Sequence, residues 1–518
     1  MKNFLIYIFI YLVFPGNSFA QDHDPFEKIV LKLNKKTNTE YSSIRISTNP
    51  FVKKELTSYF KISDKILTEE NYSAKNKKEI PDSELNKQYP IWIPISEVIG
   101  LNAGIGAFNA YVTKASFAKI NFKTIATNLE LGAVWDHDHF ITNYFAHPYH
   151  GNMYFNTARS NGYSFWESVP FSFGGSLMWE IFMENEPPSI NDLINTTVSG
   201  YMLGEILYRS SSLILDESTT GFPRVSREFF AGLLNPMRAL NRILTGKISR
   251  VTSKQAFEKE PIYLEVSAGP NRVLDGTTFF TGTLNTAINF RMVYGKPFRE
   301  RKVKPFDFFR IQSQFNISED TTDSPIGMVT AYGTLAGKNL NVKDQKIFAG
   351  IFQHYDFFDN SVYKVGGISF GVGLLSEFPM TVKNSSILTS VHLNIMPLGA
   401  ANSIYSSFGE KEYNFSSGMN MNFESVINFD WGFLGVDYNL YWMHTVVGAP
   451  SNEYIGILRP RIEVGLFDHV NIGSEFLFYH REGYYDDFED VHLRNNEVKL
   501  YLSYWFGNFN IFKSIKKL

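Results

Sequence analysis

The stretch Gly432-Phe433-Leu434-Gly435-Val436-Asp437-Tyr438-Asn439-Leu440-Tyr441-Trp442-Met443-His444-Thr445-Val446 alternates between two environments. Leu434, Val436, Tyr438, Leu440 and Trp442 are apolar, and Gly435, Asp437 and Asn439 fall between them. Successive side chains of a strand point to opposite faces, so a period of two marks a strand with one apolar and one polar face. The pattern recurs. Phe415, Met419, Met421 and Phe423 alternate with Gly418, Asn420, Asn422 and Glu424; Val498, Leu500, Leu502, Tyr504 and Phe506 alternate with Glu497, Lys499 and Ser503. Segments near Ile347, Ile368, Ile387, Leu458 and Val470 read the same way, and the region from Pro261 onward gives about twelve strands, an even number as in bacterial membrane barrels. Pro460 weakens one of them, because proline cannot donate to a neighbouring strand.

A soluble antiparallel sandwich or barrel also alternates. Three features favour a membrane barrel. The apolar face is rich in rings, within a chain that holds 47 Phe and 28 Tyr. The opposite face is polar enough to line a lumen. Finally, the chain opens with Lys2, an apolar run from Phe4 to Phe14, a break at Pro15-Gly16 and Ser18-Phe19-Ala20 before Gln21. That is a signal peptide over residues 1–20, implying Sec-type export and an outer-membrane destination. No later segment offers the roughly 20 uninterrupted apolar residues of a spanning helix, so entry into a membrane is expected through strands. Outer-membrane barrels commonly finish on an aromatic residue, whereas this sequence continues past Phe506 to Lys516-Lys517-Leu518, which leaves the end of the last strand open.

The formal net charge of -3 argues against general affinity for nucleic acid, and the absence of cysteine excludes disulfides and thiolate chemistry. Residues 21–89 are polar and Lys-rich, a loosely ordered leader. From Tyr89-Pro90 the character changes to helical over 90–250. A first helix spans Ile91 to Val112. Pro148 suits a first turn, and Pro187-Pro188 separates a helix over Gly175 to Glu184 from one over Ile190 to Leu213, which Ser189 and Asp192 cap. Both are too apolar to lie exposed and too interrupted by Glu to be lipid-spanning, so they are expected to pack on something.

Candidate chemistry gathers in this helical region. Asn143, His147 and His150, at spacings of four and three, share a helix face and form a proton-transfer or metal pair, or else two satisfied core histidines. Glu167, Glu180, Glu184 and Glu205 stand in apolar surroundings, where a carboxylate must be paired, protonated or exposed. Arg159 and Arg209 are the available partners, Arg209 at the favourable spacing of four from Glu205. Asp136-His137-Asp138-His139 places two imidazoles two apart, which could both reach a metal if the stretch is extended, but it reads first as a surface turn. No Gly-x-Ser-x-Gly or phosphate-binding loop appears, so no nucleophile is named. In the strands, Arg459, Arg461, Glu463, Glu475, Glu497 and Lys499 have mixed signs and are expected to pair with one another or with a plug.

The runs Trp135 to Phe140, Phe145-Ala146-His147-Pro148-Tyr149-His150-Gly151, Ala158 to Tyr163, Glu186-Pro187-Pro188-Ser189-Ile190-Asn191-Asp192 and Asn235-Pro236-Met237-Arg238 resemble the bacterial domain of unknown function 3943, across about residues 92 to 245. The resemblance implies a signal-bearing protein of Gram-negative, often Bacteroidetes, bacteria, with a β-rich part after the domain. It supplies no activity. It carries over Asn143, His147, His150, Arg159, Glu167, Glu180, Asp192 and Glu205 as candidate positions.

These readings combine into an α+β chain: a helical domain over 90–250, then an antiparallel outer-membrane β-barrel over 261–518. The helical domain is expected to dock in or beneath the lumen. The function expected is a structural or small-solute/lipid pathway role in the envelope. Its partners are outer-membrane lipid, a small solute or lipid in the lumen, and the barrel assembly machinery during biogenesis. No nucleic acid, cofactor or metal is expected. A rival reading is an outer-membrane hydrolase of lipid or envelope polymer, with His147 or His150 as general base oriented by Glu180 or Glu184, and Asn143, Arg159, Glu167, Asp192 and Glu205 binding. A third is a soluble periplasmic binding protein, whose apolar strand faces would close on each other.

Overall fold

The computed structural model describes residues 81–507 except 86, 137, 275–281, 318–323, 341–344, 361, 383–384 and 406–411. The expected signal peptide, most of the expected leader, His137 and the tail 508–518 lie outside the described residues.

Twelve antiparallel strands close into a barrel in sequence order, with β1 pairing to β12. They are β1 Ile262–Leu274, β2 Gly282–Tyr294, β3 Phe309–Ile317, β4 Ile326–Asn339, β5 Lys346–Asp359 and β6 Lys364–Pro379. The circuit continues with β7 Ser386–Asn402, β8 Tyr413–Phe429, β9 Gly432–Val447, β10 Ser451–Phe467, β11 Val470–Tyr485 and β12 Val491–Gly507. Closure leaves no unpaired edge, as a backbone in lipid requires. Pro460 stays inside β10: it sits opposite Val436 of β9, and the pairing to β11 skips Arg459 and Pro460 before resuming in the same register at Arg461. The missing donor is absorbed without a bulge.

The alternation sorts the wall into two faces. Leu434, Trp442, Leu458, Ile472, Leu500 and Leu502 point outward and are exposed, an apolar band of the kind that faces lipid. The inward faces fill the lumen. Near the rim where β1 begins and β12 ends, here the entry rim, Tyr263, Phe348, Phe352 and Phe433 cluster. Near the opposite, far rim, Tyr363, Met396, Tyr441, Ile455 and Tyr479 do the same. Between these caps, charged and amide side chains bridge the bore. Arg459 Nη2 donates to Gln312 Oε1 at 3.1 Å and Lys499 Nζ to Gln314 Oε1 at 2.7 Å, while Arg310 pairs with Glu424. Arg459 also binds Asp437 at 3.0 Å, and Lys499 lies 3.4 Å from Glu475 and 3.5 Å from Glu497. The mixed charges of the last strands thus pair largely with one another. Cavities lined by these groups hold only about 60 and 20 Å³, on the order of one or two waters.

The helical domain comprises α1 Trp92–Phe108, α2 Phe122–Leu131, α3 His147–Ser160, α4 Phe165–Phe182, α5 Ile190–Ile214, α6 Gly221–Leu234 and α7 Pro236–Leu244. Ser164 and Glu167 form a capping box that starts α4 well before the expected Gly175, and Pro170 is accommodated inside it. Ser189 caps α5 by accepting from the Asp192 amide at 3.2 Å. The axes of α3 and α5 approach very closely where Gly151 faces Gly200: a Cβ on Gly151 would lie 1.6 Å from the Thr196 carbonyl oxygen.

The domain docks on the outside of the barrel, not in or beneath the lumen as the sequence reading held. In β4 and β5, Met328, Tyr332, His354 and Phe358 point inward; the alternate residues Val329, Ala331, Tyr355 and Phe357 belong instead to the core shared with Phe140, Tyr144, Phe165, Tyr201 and Ile206 of the helices. The reason is steric and chemical: the bore is already full, whereas this part of the outer wall offers small and aromatic residues to pack on. Gly366 of β6 lets the Tyr144 ring lie against the wall, where a Cβ would come within 2.5 Å of it. Three contacts order α5 along the wall. Near its start, Asn191 joins Asn143 on Asp136, and Asn143 Nδ2 donates to the hydroxyl of Tyr413, the first residue of β8 on the far rim, at 2.6 Å. Midway, Gln353 of β5 donates to the Val198 carbonyl at 3.0 Å. Near its end, Arg209 reaches Asp307 at 3.3 Å and the Pro305 carbonyl at 2.9 Å in the β2–β3 connection of the entry rim. The 25 residues of α5, about 37 Å at 1.5 Å each, therefore run from rim to rim.

Candidate functional site

Two polar centres stand at opposite ends of the helical domain. The far-rim centre gathers on His147, the first residue of α3. A π-helical turn, Thr142–Ala146, precedes it, closed by the His147 amide on the Thr142 carbonyl. Such turns are rare and often occur at functional sites. The wider turn sends Asn143 to Asp136 and Tyr413, while His147 faces α5. Its Nδ1 lies 3.2 Å from Thr196 Oγ1, and its Nε2 lies 3.5 Å from Asp192 Oδ1 and 4.0 Å from Asp138 Oδ2.

Acidic groups surround that imidazole. Asp136 Oδ1 accepts from Asn143 and Asn191, each at 2.9 Å. Burial opposes the ionised form of Asp136, but the hydrogen bond from Asp192 and those two amides outweigh it and hold its carboxyl below the usual range. Glu180 accepts from the Ser189 amide at 2.8 Å, tying α4 to the cap of α5. Glu184, just past α4, accepts from the Trp179 indole. Burial, reinforced by the nearby charge of Asp138, raises the Glu184 carboxyl to about 7. A titration of Trp179 emission is therefore expected to show a midpoint near 7, and Glu184→Gln is expected to abolish it; a step that persists in the variant would assign it to another group.

The structure brings Asn143, His147, Glu180, Glu184 and Asp192 into this one centre. It places the others elsewhere. The His150 ring lies 4.5 Å from that of Tyr154 and 4.9 Å from that of Trp179, a packed position in the helix interior. Glu167 is the exposed capping partner of Ser164. Arg159 and Glu205 form the second centre, near the entry rim. Arg159 Nε donates to Glu205 Oε2 at 2.8 Å and Arg209 Nε to Glu205 Oε1 at 2.7 Å. Through Arg209 this triad reaches Asp307 in the barrel connection.

Sequence reasoning missed Asp136 and Asp138, which were read as a surface turn. That turn is instead folded against α5 by Asn191, whose Oδ1 accepts from the Asp136 amide at 3.1 Å. The spacing Asp136, Asp138 carried the signal, but nothing local tells which carboxylates meet a histidine nine or more residues away. Tyr413, far along the chain, had no signal at all. Among the described residues, no three His, Asp or Glu side chains are placed to hold a metal ion. The far-rim centre is thus an imidazole whose Nε2 faces the acidic groups of Asp138 and Asp192 and whose Nδ1 faces the Thr196 hydroxyl; burial, with Asp136 alongside, raises the Asp192 carboxyl well above its usual range.

Closure, the outward apolar band and the polar bore define an outer-membrane-type β-barrel protein with a helical domain docked on its wall. Residues 132–237 match the model of a domain of unknown function, DUF3943. The segment contains the helical-domain residues of both polar centres, with Tyr413 and Asp307 contributed by the barrel. No curated protein matches the chain. Among solved structures, the porin NanC is 10% identical over 46% of this chain and 98% of its own, with a TM-score of 0.28. OmpT of Vibrio cholerae is 9% identical over 47% and 98%, with a TM-score of 0.24. An outer-membrane channel from Pseudomonas putida F1 is 7% identical over 48% and 97%, with a TM-score of 0.27.

Proposed function

We propose that this protein resides in the outer membrane, that its barrel is a sealed anchor, and that its helical domain serves a lipid or small amphiphile pathway along the outer wall. The observation that carries this reading is the exchange of roles between bore and wall. Aromatic clusters and ion pairs fill the bore, while the His147 centre sits at the seam between helices and wall, at the far rim. Outer-membrane lipid is the partner this arrangement favours, after export and assembly by the barrel machinery.

The test is reconstitution of the detergent-purified protein. A faster-running unboiled band is expected on gels, together with no steady conductance in planar bilayers. Lipid extracted from the purified protein is expected to be depleted in His147→Ala while the unboiled band is kept. A steady open conductance would return the pathway to the lumen.

One observation favours a second reading. His147 stands between Asp138 and Asp192 with a hydroxyl on its Nδ1, an arrangement in which a general base is oriented and its charge stabilised. A hydrolase of lipid would then lose turnover, at unchanged gel mobility, in His147→Ala and in Asp192→Asn. General-base catalysis is worth roughly 10²- to 10⁴-fold, which sets the size of the loss.

A further inference from the structure

The helices α1 and α4 pose a problem that the barrel solves. Trp92–Phe108 holds one charged residue, Glu97, and that side chain accepts from Asn161 and Asn241. Phe165–Phe182 holds two, Glu167 in the first turn and Glu180 buried on the Ser189 amide. Both helices are apolar all round, which fits an interior or a membrane position. Yet their outer faces are bare: Ile95, Ile99, Phe173 and Phe182 are exposed, as are Phe229 and Phe230 of α6. Soluble monomers rarely expose apolar patches of more than a few hundred Å².

What covers that surface follows from where it lies. The domain is packed over the outer faces of strands from β2 to β8, and Ile351, Val372 and Leu374 on the outer face of β5 and β6, nearer the entry rim, stay uncovered and apolar. Because α5 runs from rim to rim, the bundle occupies the same depth as the wall. The 18 residues of α4 span about 27 Å, close to the roughly 25 Å apolar band of an outer-membrane barrel. The packing has the character expected where lipid removes the hydrophobic drive between helices. Gly151 and Gly200 bring backbones into contact, and amide and hydroxyl side chains bond across the seam. No described helix is long and apolar enough to cross a membrane by itself.

We propose that the helical domain lies inside the bilayer, flank to flank with the barrel, with the outer faces of α1, α4 and α6 covered by lipid acyl chains. This rests on the outer-membrane reading above and adds that helices, not strands alone, face the lipid.

The natural chain has no cysteine, so single cysteines report cleanly. Ile99→Cys, Phe173→Cys and Phe229→Cys would each carry a nitroxide in the full-length protein, reconstituted in phosphatidylcholine vesicles. Leu500→Cys on the barrel wall and Asp487→Cys in an exposed loop serve as references, and heat-modifiable mobility checks that each variant is folded. All three helical positions are expected to match Leu500→Cys, with high collision with oxygen and loss of collision with a water-soluble nickel chelate. A water-like profile at these positions, with Leu500→Cys still lipid-like, would overturn the proposal while leaving the barrel in the membrane. Exclusion of both reagents would overturn it too, because a second copy of the chain would then cover the face. If Leu500→Cys is also water-like, the membrane reading itself fails and this proposal with it.

Discussion

Replacing Glu205 by alanine is expected to destabilise the docked helical domain by about 3–5 kcal/mol, the range for breaking a buried ion pair by removing one partner. Glu205 is fully buried and takes hydrogen bonds from two guanidinium groups, Arg159 and Arg209. Without it, the buried Arg209 and the half-buried Arg159 lose their shared counter-charge, and among the described residues Asp307, at 3.3 Å, is the acidic side chain left within ion-pair distance of Arg209. The loss falls on the joint between α3, α5 and the β2–β3 connection, so the helices should release before the barrel opens. Urea unfolding followed by tryptophan emission, with gel mobility scored alongside, separates the two events. The expected result is an early helical transition with the unboiled band intact. Replacing the triad as a whole with apolar residues of similar volume should recover much of the loss, because the cost lies in the orphaned charges rather than in the absence of a salt bridge.

The second large effect is expected at Gly151. A Cβ there would sit 1.6 Å from the Thr196 carbonyl oxygen and 2.9 Å from the Gly200 Cα. Both obstacles are backbone, so no rotamer change relieves them, and Gly151→Val must push α3 and α5 apart. Overpacking usually costs about 1–3 kcal/mol, and a rigid backbone contact belongs at or above the top of that range. Separation would also pull His147 from Thr196 and loosen the far-rim centre. Amide exchange in α3 and α5 should rise sharply, whereas Gly174→Ala, where an added Cβ meets nothing within 4 Å, should leave it unchanged. Equal protection in the two variants would show that the helices can separate without loss.

The barrel was legible because its signal is local and repeated. The alternation of Leu434, Val436, Tyr438, Leu440 and Trp442 with Asp437 and Asn439 needs no partner to be read, and the structure gives those residues outward and inward faces as expected. Mutual pairing of Arg459, Glu475 and Lys499 was likewise foreseen, since charges facing a confined bore must find one another. The start of α5 was read from its cap at Ser189, whereas the Ser164–Glu167 box that starts α4 was overlooked because Pro170 follows it closely. The candidate site was half legible. Asn143, His147, Glu180, Glu184 and Asp192 do meet, but the same reasoning grouped them with Arg159 and Glu205, which stand at the other end of the domain.

Local sequence set the period of the strands, the presence of helices ahead of a barrel, and the residues whose burial would demand partners. These follow from backbone geometry and from the free energy of burying charge, both properties of short stretches. Packing between distant segments set on which side of the wall the helices lie, how inward side chains crowd the bore, and that Asp136, Asp138 and Tyr413 complete the His147 centre. Those facts depend on which surfaces fit: Tyr144 against Gly366, α3 against α5 at Gly151, and large inward side chains leaving no room in the lumen. Such complementarity is a relation between distant segments, and no single segment contains it.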